Sequence, residues 1–443
     1  MIDVLNLEWT SYSSRDRNVA SLVCNYLRYQ GYKVVEDSIF KGFSAIDKYK
    51  PKVLFITNGI GAAINFQIVK YAALRGIKVI TLVSEGNFSN DPNRLDEFLW
   101  GWNTEKKLYE DRNLQWSERT RNMTIIKYPE LMGKVGVSGS CGCDIYKIKP
   151  QINSTQFLGK FHKHNYKKII GIGCWDFDFA YEGGRAHDFS LKVFGSHALN
   201  RFKQDRNEFS RILNEIVANN PDVLFLAKEH PGNTGGVFMS GIDGIDKFNN
   251  VLILKKEPII DCISVSDFWI TYESTTVLEA WALDKQTCLL NPSGTDFPRA
   301  NVHYGSPNYA TVEALQSAID DFYSKGSLPG FNEVSHERDK VMSETIQWND
   351  GLNHVRVGNE IIKLMNVPIQ SPGKPIPFSL LKEKVKQNLI NTLKFSKSTI
   401  YELASSFNKG EVEAFSAEMM DYQIKFYLKL GLGNESLLNI NTI

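Results

Sequence analysis

Two short polar segments in the second half of the chain carry residue types that bind phosphate and nucleotide groups. Lys228 and His230 stand in a Lys-Glu-His-Pro-Gly segment, directly after the apolar run 223–226. A lysine ammonium and a histidine ring N–H both bind phosphate oxygens, and Pro231 restricts the turn that would direct the ring. A histidine in an ordinary structural turn explains the same residues, so this segment gains weight only together with the second one.

The second segment follows the apolar run Phe268–Thr271 and contains Ser274, Thr275 and Thr276. Hydroxyls at the start of a helix are common N-caps, and the same position can bind phosphate through N–H groups and the helix dipole. Glu279 follows one helical turn later, where its carboxylate could bind a ribose hydroxyl or stay solvated. Both segments follow apolar strands, which predicts a nucleotide-type ligand at the carboxyl edge of a parallel sheet.

Three carboxylates follow other predicted strands and are candidates for acid–base chemistry. Glu85 comes shortly after a strand that ends at Val83, where burial at the sheet edge could raise its pKa for proton transfer. A turn glutamate next to a glycine is an equally good interpretation. Asp176 and Asp178 follow the predicted strand 169–173 and could hold acceptor hydroxyls or cap a loop.

A glycine-containing turn follows another strand of the first half. Gly59 and Gly61 do not complete a dinucleotide fingerprint, because the third glycine and the downstream ribose-binding acid are missing. We therefore predict that Gly59, Gly61 and Gly86 allow tight turns and the close approach of an acceptor. Arg15 and Arg17 follow the first strand and could bind an anionic acceptor or be solvated charges at a helix start.

The elements that must position these residues alternate between short apolar strands and helices, which predicts parallel sheets covered on both faces. A polar stretch at 140–165 interrupts the alternation. The predicted strands are Ile2–Leu7, Lys33–Val35, Val53–Thr57, Val79–Val83, Thr124–Lys127 and Val135–Ser138 before this stretch, and 169–173, 223–227, 251–254, 268–271 and 287–290 after it.

This organisation predicts an α/β protein with two Rossmann-type domains facing a cleft, followed by C-terminal helices. A chain of 443 residues is too long for one ordinary core. We assign residues 1–150 to an N-terminal, acceptor-side domain and residues 165–365 to a C-terminal domain that binds the nucleotide. Residues 366–443 form a helical tail after a proline-rich break.

Composition excludes several classes of protein. A net charge of +1 gives no argument for nucleic-acid binding, and no apolar run approaches the roughly 20 residues of a membrane span. The start of the chain shows no signal-peptide pattern, so we expect a cytoplasmic protein. The six cysteines show no zinc-site spacing. Asp176 and Asp178 have the Asp-x-Asp spelling of a metal–nucleotide motif, but they precede the His-Pro segment, and we expect neither a metal nor a cofactor.

One helix of the tail is amphipathic and basic. Leu381, Val385, Leu389 and Leu393 recur every four residues, with lysines between them. Such a helix can lie on an anionic membrane surface, which would bring the protein to the inner face of the cytoplasmic membrane or to an assembly partner. An ordinary surface helix that packs back on the domains explains the same pattern.

The order of strand, Lys-x-His-Pro, strand, Ser/Thr cluster and acidic helix resembles the donor-binding domain of GT-B glycosyltransferases that use CMP-activated sugars. Sialyltransferases, polysialyltransferases and the bacterial β-Kdo transferases of capsule and lipopolysaccharide share this layout, and CDP-glycerol glycerophosphotransferases have a related one. The resemblance covers residues 165–365 and extends to the first half only in architecture. It implies that His230 and Pro231 contact the cytidine nucleotide, and that the Ser274–Thr276 cluster binds the donor phosphate.

The same resemblance implies two catalytic roles. Glu85 would deprotonate the acceptor, although these families commonly have two consecutive acids and this chain has Ser84 before the glutamate. Asp176 or Asp178 would be the nucleophile of a retaining double displacement, as in the β-Kdo transferases. Carboxylates on both sides of an anomeric carbon would suit this chemistry.

The sequence thus predicts a metal-independent glycosyltransferase that uses a CMP-activated sugar as donor, with Kdo as the first candidate sugar. The predicted acceptor is a glycan or glycolipid of the bacterial surface, in capsule or lipopolysaccharide. Two alternatives stay open. A CDP-glycerol or CDP-ribitol phosphotransferase would use the same nucleotide pocket, but it would be expected to have a more basic acceptor groove than a chain of charge +1 indicates. A non-catalytic glycan-binding assembly protein would keep the fold and lose the carboxylates.

Overall fold

The computed structural model describes residues 2–11, 15–83, 86, 92–181, 185–230, 241–294, 301–368 and 373–441. The chain divides into two compact units. The first consists of Met1–Lys149 together with Met342–Ile443, and the second of Pro150–Val341. Each unit is built on one parallel β-sheet. Glu85 and Pro231, two of the predicted site residues, lie outside the described residues.

The sheet of the first unit has six strands in the order β2-β1-β3-β4-β5-β6, and all its pairings are parallel. Its central strands are short and apolar, as expected where helices cover both faces. The elements of this part are β1 (Val4–Glu8), α1 (Arg15–Tyr29), β2 (Val34–Ser38), α2 (Gly42–Tyr49), β3 (Val53–Ile56), α3 (Ala63–Leu74), β4 (Lys78–Leu82), α4 (Leu95–Trp100), β5 (Arg112–Gln115), α5 (Glu118–Lys127), β6 (Val135–Val137) and α6 (Ile145–Ile148).

The sheet of the second unit has five parallel strands in the order β11-β10-β7-β8-β9. The long helix α8 is interrupted at Gly195, where φ is +81°. The elements along this part of the chain are α7 (Ser154–Gly159), β7 (Lys168–Gly173), α8 (Arg185–Asn219), β8 (Val223–Lys228), β9 (Val251–Leu254), α9 (Ile259–Val265), β10 (Phe268–Thr271), α10 (Thr276–Ala282), β11 (Gln286–Leu289), α11 (Val312–Lys325) and α12 (Ser335–Thr345).

The chain then returns to the first unit. Its last helices are α13 (Asn353–Met365), α14 (Phe378–Thr392), α15 (Thr399–Ser406), α16 (Lys409–Lys429) and α17 (Asn434–Leu438). Val355 and Ile361 of α13 belong to the same buried cluster as Tyr26 of α1. A Cβ on Gly358 would stand 2.2 Å from the Tyr26 ring, so the glycine permits this close helix contact.

This return differs from the predicted boundary at residue 365, because Met342–Met365 packs with the first unit and not with the second. A fully buried polar chain adds to the apolar contacts of α13. Asp144 Oδ2 is 2.8 Å from His354 Nδ1, and His354 Nε2 is 2.5 Å from the Tyr427 hydroxyl. Burial raises the pKa of Asp144 and of Tyr427. Among the helices within the described ranges, none has the length and apolar character needed to span a bilayer.

The predicted alternation of strands and helices is confirmed by the two sheets, with one error. The predicted strand Thr124–Lys127 is wrong, because these residues form the end of α5. Ser117 starts that helix, since its hydroxyl accepts a hydrogen bond from Thr120 N at 3.4 Å. The sheet position is instead filled by β5, whose sequence Arg-Asn-Leu-Gln lacks the apolar character of its neighbours.

Candidate functional site

The carboxyl ends of three neighbouring strands in the second unit lie side by side. Gly173, the last residue of β7, is paired with Lys228 on one side and with Thr271 on the other. The three polar segments found in the sequence begin directly after these strand ends. The structure therefore brings the aspartate pair, Lys228 and His230, and the Ser/Thr cluster to one edge of one sheet. In open parallel sheets, this edge is where ligands bind.

A tryptophan fixes the start of α10 at this edge. The buried indole of Trp269 occupies the space beside Gly171 and Gly173, where a Cβ would stand 2.1 Å and 2.8 Å from its atoms, respectively. Its Nε1 donates a hydrogen bond to Thr276 Oγ1 at 3.0 Å. The two glycines of β7 are thus required by packing, because they leave room for the indole that holds the first residue of the helix in place.

The three hydroxyls of the Ser/Thr cluster have different roles in the protein. Ser274 Oγ accepts a hydrogen bond from Thr276 N at 3.3 Å, and Ser274 N donates to Thr271 Oγ1 at 3.3 Å, so this serine shapes the turn. The Thr276 hydroxyl is the acceptor for the indole of Trp269. Within the described residues, the Thr275 side chain makes no hydrogen bond. The Thr275 hydroxyl is therefore the one that a ligand can bind without breaking an internal contact.

His230 and Asp176 lie next to each other across the β7–β8 edge. Nδ1 of His230 is 3.9 Å from Oδ2 of Asp176, and the two side chains are 39% and 38% exposed. The other oxygen, Oδ1, accepts a hydrogen bond from Asp178 N at 2.9 Å, which fixes the orientation of the carboxylate. Asp178 itself is exposed. Of the two predicted aspartates, Asp176 is the one that the fold holds beside the histidine.

Lys228 and Glu279 lie at the same edge in different environments. Lys228 Nζ donates to the carbonyl oxygens of Lys255 at 3.0 Å and of Glu229 at 3.3 Å. Because an ammonium has three donors, one remains after these two bonds. Glu279 lies in the first turn of α10 and is partly buried, with its Oε2 shielded from solvent.

Sequence reasoning missed a buried polar network beneath this edge. The Tyr272 hydroxyl and the Ser293 hydroxyl both donate to the carboxylate of Asp205, which is buried in α8. Arg201 Nε donates to Ser293 Oγ at 2.6 Å. Tyr272 also packs against Trp175, with ring centroids 5.1 Å apart. The sequence feature that could have identified Tyr272 as part of the site is its position directly after the strand β10.

The predicted acceptor-side glycines lie where the protein itself packs closely. A Cβ on Gly59 would stand 2.7 Å from Thr81, and one on Gly61 would stand 2.2 Å from Asn58. A Cβ on Gly86 would stand 2.5 Å from the Trp116 ring. The close approach predicted for these glycines is therefore made to side chains of the first unit.

A cavity of about 580 Å³ opens at the carboxyl edge of the first sheet. Its polar lining includes Arg15 and Asp16 at the start of α1, Asn58 and Glu97. The indole of Trp102, which is 54% exposed, forms part of the wall. The wall also contains Gly61 and Val83, and Val83 stands two residues before Glu85 in the sequence.

A buried glutamate that the sequence did not reveal ends β1. Glu8 is 3% exposed, and its Oε1 accepts hydrogen bonds from Asn6 Nδ2 at 3.0 Å and from Thr57 N at 3.3 Å. Burial, and secondarily the nearby Asp16 carboxylate, raises the pKa of Glu8 to about 8. The first unit thus holds a carboxyl group that is largely protonated at neutral pH. Its neighbour Thr57 lines a small cavity next to the large one.

The described part of the chain contains no group of three or more histidine, cysteine, aspartate and glutamate side chains arranged to hold a metal ion. Asp176, Asp178 and His230 therefore do not form such a group, although His230 lies beside Asp176.

No protein-family model matches this chain, and no curated protein sequence matches it significantly. Solved structures are similar in fold. The S. aureus MnaA–UDP structure has a TM-score of 0.53 and 10% identity, over 85% of this chain and 100% of that chain. A putative UDP-N-acetylglucosamine 2-epimerase from Listeria monocytogenes has a TM-score of 0.53 and 11% identity over the same shares. The Neisseria meningitidis UDP-GlcNAc 2-epimerase, bound to UDP-GlcNAc, has a TM-score of 0.50 and 12% identity, over 82% and 100%.

At such identities the similarity establishes the fold alone. The chain has a GT-B-like fold, with two parallel-sheet α/β units and a C-terminal helical segment. The predicted α/β fold class, with two parallel-sheet domains of GT-B type, is thereby confirmed.

Proposed function

We propose that this protein is a glycosyltransferase that moves a sugar from a CMP-activated donor to a surface glycan, with Kdo as the first candidate sugar. The observation that carries the proposal is the meeting of Asp176, His230 and Thr275 at adjacent strand ends of the second unit. The GT-B-like fold supports a sugar-nucleotide substrate, because the similar structures include one with UDP and one with UDP-GlcNAc.

The donor nucleotide would bind at this edge. The ring N–H of His230 and the remaining donor of Lys228 would contact the phosphate, together with the Thr275 hydroxyl. Ser274 and Thr276 would act indirectly, because their hydroxyls hold the turn that carries Thr275. Pro231 would restrict the turn at His230, and Glu279 would bind the ribose.

The transfer would proceed in two displacements. Oδ2 of Asp176 attacks the anomeric carbon, the bond from this carbon to the phosphate oxygen breaks, and CMP leaves with the electron pair. An acceptor hydroxyl then displaces the aspartate, and Glu85 takes its proton. The hydrogen bond from Asp178 N to Oδ1 of Asp176 leaves Oδ2 directed towards His230, which favours Asp176 over Asp178 as the nucleophile.

The acceptor would bind in the large cavity of the first unit. Its volume of about 580 Å³ lies in the range of ligand pockets, roughly 300 to 1,000 Å³. The exposed Trp102 indole offers a flat apolar face to a sugar ring, and Arg15, Asp16 and Asn58 offer hydrogen-bonding groups to its hydroxyls.

A UDP-sugar epimerase is the second candidate function. The observation in its favour is that two of the similar structures described above are named as 2-epimerases, one of UDP-N-acetylglucosamine and one of UDP-GlcNAc. Such an enzyme would use the same sheet edge and would need no glycan acceptor.

A thermal-shift screen of the full chain against CMP, CDP, UDP and GDP separates these functions. A ligand that binds only the folded state stabilises it by about 2.7 kcal/mol at a hundred times its Kd. CMP-dependent transfer predicts that CMP gives the largest rise in Tm. A larger rise with UDP would overturn the CMP proposal and favour the epimerase, and no rise with any nucleotide would contradict both.

A further inference from the structure

The helix α14 turns apolar side chains towards solvent. Leu381, Val385, Leu389 and Leu393 are 40%, 55%, 50% and 58% exposed, respectively. Two phenylalanines next to this row are also exposed, since Phe378 at the start of the helix is 81% exposed and Phe395 shortly after its end is 52% exposed. We call these six residues the α14 apolar face. Contiguous exposed apolar patches of this kind mark interaction sites in soluble proteins.

The opposite side of α14, which packs on the first unit, is largely polar. Gln387 is buried, and Asn391 Nδ2 donates to the carbonyl oxygen of Phe40 at 2.9 Å. Lys384 Nζ donates to the Tyr71 hydroxyl at 2.7 Å. A surface helix normally buries its apolar stripe against the core. In α14 only Leu380 is fully buried and Ile390 is half-buried, which means that the exposed leucines and valine do not hold the helix on the protein.

The charge around this face identifies the surface that it fits. Residues 378–397 contain five lysines and one glutamate, whereas the whole chain has a net charge of only +1. Lys382, Lys386, Lys394 and Lys397 are exposed. Lysine is depleted in protein–protein interfaces. An apolar face bordered by lysines is instead the arrangement of helices that lie in the headgroup region of anionic bilayers.

We propose that α14 docks this protein on an anionic lipid bilayer, with its apolar face in the headgroup region and its lysines against the lipid phosphates. The helix lies along the surface and does not cross it, since it has only 15 residues. This inference is independent of the nucleotide that the second unit binds. It would place the protein where lipid-linked substrates are found.

The test is co-sedimentation of the full chain with vesicles of phosphatidylcholine alone and of phosphatidylcholine mixed with phosphatidylglycerol. The native chain is expected to bind the anionic vesicles, less strongly at high salt, and to bind the neutral ones weakly. Each lysine near an anionic surface strengthens binding about fivefold, so the Lys382→Gln/Lys386→Gln variant should bind roughly 30-fold more weakly. Lys160→Gln/Lys167→Gln, which removes two exposed lysines of the second unit, should bind as the native chain does.

The apolar contribution needs its own variant. Leu381→Gln/Val385→Gln/Leu389→Gln should lose binding by more than about tenfold, because each buried methylene contributes to anchoring. Glutamine keeps the helix propensity, so the Tm should stay near that of the native chain. Ile126→Gln/Leu428→Gln is the matched control, since these side chains are 79% and 72% exposed elsewhere on the first unit.

Three outcomes would overturn the proposal. The first is that the native chain does not bind anionic vesicles. The second is that the α14 variants and their controls bind equally well. The third is that the native chain forms a dimer that the triple glutamine variant loses, without any binding to vesicles. In that case the α14 apolar face is an interface between copies of the chain.

Discussion

Nδ1 of His230 lies 3.9 Å from Oδ2 of Asp176. The two side chains are close because the adjacent strands β8 and β7 end in register at Lys228 and Gly173, and each residue follows its strand end within a few positions. The separation is longer than a hydrogen bond, which is about 2.7 to 3.2 Å for an N–H donor. Both side chains are partly exposed, so one ligand can contact the ring and the carboxylate at the same time.

We predict that His230→Ala abolishes most of the stabilisation of the folded protein by CMP. A hydrogen bond to a charged group contributes about 1.5 to 3 kcal/mol, so the Kd for CMP should rise by roughly 10- to 100-fold. Calorimetric titration of the variant measures this change. His336→Ala, which removes an exposed histidine of α12, should leave the Kd unchanged. Equal affinities in both variants would remove His230 from the nucleotide site.

We predict that Asp176→Asn separates nucleotide binding from transfer. An amide cannot form the covalent intermediate, so kcat should fall by roughly a thousandfold or more, while the Kd for CMP changes little. Asp178→Asn should have a much smaller effect, because Asp178 is exposed and contributes its backbone N–H to the orientation of Asp176. Similar kcat values for the two variants would argue against Asp176 as the nucleophile.

We predict that substitutions at two adjacent threonines differ in their effect on stability. Thr276→Val removes the acceptor of the buried indole N–H of Trp269, and an unsatisfied buried donor costs about 1 to 3 kcal/mol. Thr275→Val removes no internal hydrogen bond, so the free energy of unfolding should stay within about 0.5 kcal/mol. Urea unfolding measures both values.

With CMP present, Thr275→Val should show the smaller thermal shift relative to its own ligand-free Tm. A loss of stability in Thr275→Val, or none in Thr276→Val, would contradict the division of roles within the cluster. These two variants are each other's control, because they replace the same side chain at neighbouring positions.

The sheets were largely predictable from the sequence, because strands buried on both faces must be apolar runs. Val53–Ile56 and Phe268–Thr271 are examples. The exception is β5, which carries polar residues and was not predicted. A strand was predicted at Thr124–Lys127 instead, because of its apolar pair, but these residues are helical. The return of Met342–Met365 to the first unit depends on packing against Tyr26, which no local pattern reveals.

The candidate site was predictable in location but not in its contacts. Strand ends can be read from the sequence, so Asp176, His230 and Thr275 were identified as neighbours of a sheet edge. The different roles of the three hydroxyls could not be predicted. They depend on the hydrogen bond from Trp269 in β10 to Thr276 in α10, which the sequence does not show. Glu8 could not be identified, because its raised pKa results from burial, which a single acidic residue in a sequence does not show.

Glu8 leads to a prediction about pH and stability. Burial raises its pKa from 4.5 to about 8, so the folded protein retains a proton that the unfolded chain releases at lower pH. The stability due to this proton is complete below the unfolded pKa of 4.5, and it is lost as the pH rises to about 8. The loss can reach about 5 kcal/mol at most, since one pKa unit corresponds to about 1.4 kcal/mol.

Glu8→Gln should remove this dependence, because glutamine remains neutral and can still accept hydrogen bonds from Asn6 and Thr57. Urea unfolding at about pH 5 and about pH 9 should show the variant gaining several kcal/mol relative to the native chain at the higher pH. Glu130→Gln, at an exposed position, is the control and should follow the native chain at both values. If Glu8→Gln and the native chain differ by the same free energy at both pH values, Glu8 ionises near its ordinary pKa and the first unit holds no neutral acid at this edge.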